Sequence, residues 1–514
     1  MKPLILRYLF AVTGGVIWAL HFSREPLLVS SWIALSPLLL LLCFRHAGRL
    51  AFVHGFVGWM VALSWIPQTL VTFGKIPLPG AIPLTGLLAA FLAGFQALFG
   101  LLGAALWRRW PVARLWLLPS LWVALEWLRT YLFGGFPWNL AAYVWVDVPG
   151  ALPLAAWIGP YGVSFLVLLT SAGAAAAVER RRWEPAALCF LVPLLLLPIA
   201  GRWSHHRSEI EIAAARDIEG IGLPVRVLQP NIRNLVEWDP VAVVRDYQKV
   251  VALSAESCEP GTLVIWPESA GWPLIYGHDA GRLEEVMEAM VARGCSVLFN
   301  SSFPVDGSSY NSAFLVTPGR PVARYDKRHL VPFGEYVPFR GLFWFVDKLA
   351  REAGEFRPAD RSVLLPWGRE KIGVSICYEI VFPDEVAAQS RQGATILVTI
   401  TNDAWYGDTA APWQHFRAAR FRAAENRRPL LRAAITGVSA VVGPDGSVWS
   451  KVGVFQEGVL RARVVGEKDL TPYARAPWLV PLLCMLAALG GLLGSYLSGT
   501  GSLWRIRFLR RDGT

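Results

Sequence analysis

The chain is short of the groups that hold metals and cofactors. Its 514 residues include six cysteines, with no C-x-x-C pair and no zinc-ligand spacing. It has no H-E-x-x-H motif and no phosphate-cradling glycine loop, so no metal or cofactor is expected. Charge is scarce as well. Only 17% of residues are charged against 54% hydrophobic, and the mean hydropathy is +0.41. That balance excludes an ordinary soluble protein, and the length is too great for one domain.

What the chain does have is long apolar runs. Spanning the hydrocarbon takes roughly 20 apolar residues. About eight runs qualify, near 4–22, 26–44, 51–70, 82–107, 113–133, 158–178, 186–201 and 476–497. The expected division is a transmembrane bundle of about seven helices at 1–201, a polar domain at 202–475, and a final span with a basic tail at 476–514. Lys and Arg in short loops resist translocation. Lys2, Arg7, Arg45, Arg49, Arg108, Arg109, Arg114, Arg180, Arg181, Arg182, Arg505, Arg507, Arg510 and Arg511 fall at one set of span ends, against Arg24 and Lys75 at the other. Both termini are therefore expected in the cytoplasm, with residues 202–475 on the outer side, the periplasm of a bacterium. The net charge of +11 lies largely in the inner loops and the tail, so it is read as topology and not as nucleic-acid binding. The first span starts basic like a signal peptide but lacks a small-residue cleavage site, and is expected to be retained.

Cys43, Cys189 and Cys484 fall in apolar runs, where cysteine packs as a small hydrophobe. Cys258 and Cys295 each precede a strand of the outer domain, in a compartment that permits disulfides; whether they pair stays open. From Val225 the pattern changes to alternating strands and helices. Strands are expected at 225–232, 262–269, 296–303, 312–318, 371–380 and 395–403, and helices at 239–257, 281–293 and 409–426. This is the pattern of a layered α/β sandwich, with Asp239 as an N-cap before Pro240. Residues 328–360 interrupt it. Leu342, Phe343, Phe345, Val346 and Leu349 share a helical face that either packs on its own domain or dips into the outer leaflet as a lid.

Three strand-end residues stand out: Glu268 in VIWPESA, Lys327 in RYDKRHLVPFGEY and Cys377 in SICYEI. Separately each reads as core or as a paired charge. Together they satisfy one reaction. A thiol of pKa about 8.5 needs a carboxylate to take its proton as it attacks. An ammonium can then steady the oxyanion, worth on the order of 3 kcal/mol when preorganised.

WPES, YDK-x-HLVPFGEYVP and C-Y-E, in that order, resemble the Glu-Lys-Cys signature of the nitrilase superfamily of carbon–nitrogen hydrolases. QPNIRNLVEWDP (229–240), HLVPFGEYVP (329–338), TNDAWYGDTAAPWQHFRAARFRAAENRRPLLRA (401–433) and LTPYAR (470–475) are similar to the apolipoprotein N-acyltransferase family, and so is the layout of spans. The resemblance implies a nitrilase-like αββα sandwich with Glu268 as general base, Lys327 as oxyanion stabiliser and Cys377 as nucleophile. It also implies supporting roles for Glu335, Trp238, Tyr378 and Glu379, with backbone amides near Tyr378 completing an oxyanion hole. Ile435 and Ser269 depart from the pattern, where the family more often has asparagine and threonine.

Glu126 and Arg129 sit three apart on an expected span close to FGGFPWN (133–139), either as a structural ion pair or as a wall of a lipid entrance. Phe343, Trp344 and Phe345 are further candidates for that entrance. The activity implied is transfer of an acyl chain from a membrane phospholipid, through a Cys377 thioester, to the α-amino group of the diacylglyceryl-cysteine of an apolipoprotein. Two rivals remain: a membrane-tethered amidase for small amides, and a non-catalytic lipid-binding receptor or transporter.

Overall fold

The computed structural model describes residues 2–205, 222–233, 239–271, 274–277, 282–332, 334–336 and 356–497. Trp238, Phe343, Trp344, Phe345 and the rest of the segment expected to form the lid lie outside the described residues.

The apolar runs become helices α1 (Lys2–Leu20), α2 (Ser36–Leu41), α3 (Ala47–Ala62), α4 (Ile66–Thr72), α5 (Leu78–Arg109), α6 (Arg114–Arg129), α7 (Ala151–Arg180) and α8 (Glu184–His205). Among the described residues, α5, α7, α8 and the C-terminal helix Leu479–Leu497 are long and apolar enough to cross a membrane. The pair α3 and α4, bent by 49°, makes a fifth if taken as one span. The expected count of about eight is thus met only in part, for local reasons. Run 26–44 breaks into a 3-10 turn (Val29–Ile33) and the six-residue α2. Run 113–133 yields an α6 of 16 residues, and run 4–22 an apolar helix shorter than a full span. Inside α7, Gly159 adopts φ 68°, ψ −178°, a region open essentially only to glycine, ahead of Pro160. The kink lets the Tyr473 ring sit where a Cβ would be.

Beyond Gly222 lie two six-stranded sheets. The strands are β1 (Leu223–Gln229), β2 (Leu263–Ile265), β3 (Ser296–Val305), β4 (Ser308–Val316), β5 (Ala323–Asp326), β6 (Leu365–Trp367), β7 (Glu370–Ile376), β8 (Ile396–Thr401), β9 (Leu430–Ala434), β10 (Ser439–Val442), β11 (Val448–Val452) and β12 (Gly458–Val464). One sheet runs β12-β1-β2-β3-β4-β5 and the other β11-β10-β9-β8-β7-β6. The pairs β1–β2–β3 and β7–β8–β9 are parallel, and all six residues of β8 are buried, as a strand covered on both faces requires. The inner faces meet in one apolar layer that includes Val225, Ile265, Leu298, Val374, Ile376 and Val398.

Helices α9 (Pro240–Ser257) and α10 (Arg282–Ala292) cover the first sheet, where Val250 and Met287 pack with Val264 and Val297. Asp239 caps α9 through the Val241 amide at 3.0 Å, as expected. Helices α11 (Pro383–Arg391) and α12 (Ala411–Asn426) cover the second, giving the αββα order. This last layer has no solvent behind it. Phe416 and Phe421 of α12 belong to the same core cluster as Trp138, Tyr143 and Leu154 of the bundle. Among the described residues the remaining α-helices are α13 (Pro472–Arg475) and α14 (Leu479–Leu497). Cys258 and Cys295 are joined in a disulfide between the end of α9 and the start of β3.

Gly159→Ala is expected to destabilise the detergent-solubilised protein by about 2 kcal/mol, because the side chain meets both a forbidden backbone region and a ring. Gly86→Ala, where nothing lies within 4 Å, is the control. Equal thermal midpoints for the two variants would show that the kink is not under this constraint.

Candidate active site

The residues singled out in sequence leave the ends of three different strands. Glu268 follows β2, Lys327 follows β5, and Cys377 follows β7. The expected strand 371–380 stops at Ile376: Cys377 opens a 3-10 turn, Cys377–Val381, with φ 52°. Likewise β2 stops at Ile265, leaving Glu268 in the loop beyond. Ends of parallel strands are where an α/β sheet presents functional groups.

All three side chains are nearly sealed, with 7%, 1% and 7% exposure for Glu268, Lys327 and Cys377. Lys327 Nζ donates to Glu335 Oε1 at 2.8 Å and lies 3.8 Å from Glu268 Oε1. Burial alone would lower the Lys327 pKa, but Glu335 and then Glu268 hold it above the usual lysine range. It is therefore a fixed cation. Asn311 Nδ2 bridges the two carboxylates, at 3.0 Å from Glu268 Oε1 and 2.8 Å from Glu335 Oε1. The Asn402 amide donates to Glu268 Oε2 at 2.9 Å. Burial nevertheless raises Glu268 above the ordinary carboxylate range, opposed by Lys327 and reinforced by Glu335. A raised carboxylate is a better proton acceptor for a thiol. Cys377 is itself pushed up by burial and by the Glu268 charge, while Lys327 pulls the other way. The resting sulfur is thus a thiol, close enough to both charges to feel them.

Glu379 ties the cysteine turn to the lysine segment. Its carboxylate accepts from the amides of Ile376 (2.7 Å), Arg328 (2.7 Å) and His329 (3.2 Å) and from the Tyr325 hydroxyl (2.8 Å). Burial and Glu385 raise its pKa to about 7 against those donors. Tyr378 turns toward the bundle, donating to the Gly135 carbonyl at 3.2 Å and stacking on Trp138. Ser269 and Ile435, the two departures, are accommodated: the Ser269 amide donates to Asn300 Oδ1 at 3.0 Å, and Ile435 packs in the core of the first sheet.

Glu126 and Arg129, 3.7 Å apart, lie inside the bundle. Glu126 Oε1 accepts the Ala141 amide at 2.7 Å and Arg129 donates to the Trp138 carbonyl at 3.0 Å, so the pair grips both ends of one loop. They also line a cavity with Trp18, Gln96, Trp122 and Asn139. Asn311 is a site residue that the sequence reading missed. It lies in the polar first half of β4, SSYNS, ahead of the apolar run that marked the strand.

Two family models match. Residues 14–173 fit the apolipoprotein N-acyltransferase N-terminal domain and residues 225–468 fit the carbon-nitrogen hydrolase family. The apolipoprotein N-acyltransferase of Geobacter metallireducens is 36% identical over 484 residues, covering 90% of both chains. The chain belongs to the apolipoprotein N-acyltransferase family. It is accordingly an acyltransferase and a membrane protein. The Ralstonia nicotianae member is 35% identical, covering 84% of this chain and 83% of its own. Among solved structures, a CN-hydrolase superfamily protein from Xanthomonas campestris is 19% identical at a TM-score of 0.36, covering 52% of this chain and 96% of its own.

The hydrogen bond from Asn311 favours the charged form of Glu268. Asn311→Leu is therefore expected to move the acidic limb of the acylation rate to higher pH, and to cost stability of about 1–3 kcal/mol through the carboxylates it orphans. A limb at the wild-type pH would remove Asn311 from control of that carboxylate.

Proposed function

We propose that Cys377 carries an acyl chain from a membrane phospholipid to the α-amino group of the diacylglyceryl-cysteine of an apolipoprotein. The observation that carries this reading is the convergence of Glu268, Lys327 and Cys377 in one buried site packed against an apolar bundle. The amidase and receptor readings explain the triad or the bundle, but not both.

In the first half-reaction Sγ attacks the ester carbonyl while Glu268 accepts the thiol proton. Lys327, steadied by Glu335, and backbone amides beside Tyr378 stabilise the oxyanion. Collapse breaks the ester bond; Glu268 returns the proton to the departing lysophospholipid alkoxide, and a thioester remains. In the second, the free amine attacks the thioester, Glu268 takes the amine proton, and the sulfur leaves and is reprotonated. The amide product is a triacylated lipoprotein. A thioester suits a two-substrate exchange because it persists between partners yet yields to an amine. No cofactor enters.

Residues 1–201 and 476–514 form the membrane part and 202–475 the catalytic domain, with about eight spans, both termini cytoplasmic and the domain periplasmic at the bacterial inner membrane. The charge asymmetry of the short loops supports this orientation, as does the Cys258–Cys295 disulfide, which belongs to an oxidising compartment. The lipid entrance is assigned to Glu126 and Arg129, together with Phe343, Trp344 and Phe345. Trp238, Tyr378 and Glu379 support the site.

Purified protein given native phospholipid is expected to gain the mass of one acyl chain, labile to hydroxylamine, on Cys377. Acyl label on any other residue would contradict the mechanism. Lys327→Ala is expected to slow that acylation by about 100-fold or more through loss of oxyanion stabilisation. Turnover near wild type would take the lysine out of the chemistry.

A further inference from the structure

Behind the thiol lies a buried polar chain that these steps do not use. Asp403, just past β8, accepts Thr401 Oγ1 at Oδ1 (2.8 Å) and Arg432 at Oδ2 (2.7 Å). The same Arg432 nitrogen lies 3.1 Å from His415 Nδ1, which is also 3.1 Å from Asp403 Oδ1. At the far side of the ring, His415 Nε2 is 3.1 Å from the carbonyl oxygen of Cys377. Asp403, His415 and Arg432 are 1%, 0% and 0% exposed.

Chemistry assigns the protons. A carbonyl oxygen only accepts, so His415 Nε2 carries a hydrogen. Burial and the Arg432 charge lower the His415 pKa, against the hydrogen bond and the charge of Asp403. Asp403, which burial alone would raise, is held down at about 2 by Arg432 and His415 and balances the guanidinium. A ring that donates to the nucleophile's own carbonyl is not placed to take the thiol proton. It is placed to hold the backbone.

That backbone needs holding. Cys377 sits at φ 52°, the left-handed region that a cysteine rarely adopts and keeps only when its surroundings enforce it. The Glu379 carboxylate fixes the Ile376 amide on one side of the turn, and His415 fixes the Cys377 carbonyl on the other. Free rotation of that peptide would swing Sγ away from Glu268 and turn the Tyr378 amide out of the site.

His415 is in turn mounted on the bundle. Its ring stacks on Trp138 at 5.5 Å and 25°. The Trp138 indole donates to Gln414 Oε1 at 2.7 Å, and Gln414 Nε2 donates to the carbonyls of Phe22 and Ala62 at 3.1 and 3.0 Å. Arg129 donates to the Trp138 carbonyl at 3.0 Å.

We propose that His415 is a positioning residue for Cys377, and that through Trp138 it makes the membrane bundle part of the mounting of the nucleophile. This rests on the reading of Cys377 as nucleophile. The bundle then sets the reactivity of the thiol as well as anchoring the domain.

The test compares His415→Gln with His415→Asn in the full-length protein, in mixed micelles of bacterial phospholipid. The glutamine amide reaches as far as imidazole Nε2; the asparagine amide stops near Nδ1. Two rates are followed: acylation of Cys377 by intact mass, and its alkylation by iodoacetamide without phospholipid. His415→Gln is expected within about 5-fold of wild type, and His415→Asn about 30-fold slower at saturating phospholipid with little change in apparent KM. Alkylation should fall in parallel. Equal rates for the two variants would overturn the proposal. So would loss of acylation with wild-type alkylation, which would place His415 on the lipid rather than the thiol. If His415→Asn does not fold, Trp138→Leu decides the matter: parallel slowing of both rates supports the mounting, and unchanged rates refute it. A wild-type protein that gains no acyl mass on Cys377 would instead sink the nucleophile assignment itself.

Discussion

An ammonium sealed from water must be matched by negative charge, and Lys327 is 1% exposed. An unpaired charge at that depth costs several kcal/mol even after relaxation. Glu335 supplies the direct contact and Glu268 shares the field, so the lysine draws the loop after β2 and the segment after β5 to a common point. The excess carboxylate charge is spread over Asn311 and the amides of Val331 and Asn402. Each donor comes from a different stretch of chain. Losing any one would leave a charged oxygen unsatisfied, so the cluster constrains the backbone around it more than an apolar core of the same size would.

Glu379 extends the constraint to the sulfur. Its four donors come from the cysteine turn and from the lysine segment, so the two move as one piece. Against this piece rests the bundle. Its 133–139 loop accepts hydrogen bonds from Tyr378 at Gly135 and from His329 at Gly134. The same loop offers Trp138 to the α12 layer. The α/β domain and the helical bundle therefore share polar contacts as well as an apolar core.

Much of this was legible in the sequence. Alternating patterns located β1, β3, β4 and β8 and helices α9, α10 and α12 to within a few residues. Glu268 and Cys377 could be singled out because each closes an apolar run, and Lys327 through the family resemblance. Strands β5, β6, β9, β10, β11 and β12 escaped notice: all but β12 have five residues or fewer, and in LLRAA the buried Arg432 interrupts the apolar run. The Cys377 turn was read as strand because Ile380 and Val381 continue the apolar run. Only the Glu379 carboxylate, folding back on the Ile376 amide, reveals the break. Nor could the count of crossing helices be taken from composition, since a run apolar enough to insert still breaks at a 3-10 turn. Asp403, His415 and Arg432 lie within a stretch whose likeness to the family was plain, but side chains that contact one another rather than substrate carry no local pattern.

The register of the first sheet has a consequence for biogenesis. β1 opens the domain, yet its antiparallel neighbour is β12, which closes it, with Leu223 opposite Val464. One edge of β1 therefore stays unpaired until nearly the whole domain has been synthesised. Such long-range closure is slow, and an open strand edge invites pairing with other chains. The emerging polypeptide thus has a window of vulnerability that ends only when its last strand arrives, just ahead of helix α14.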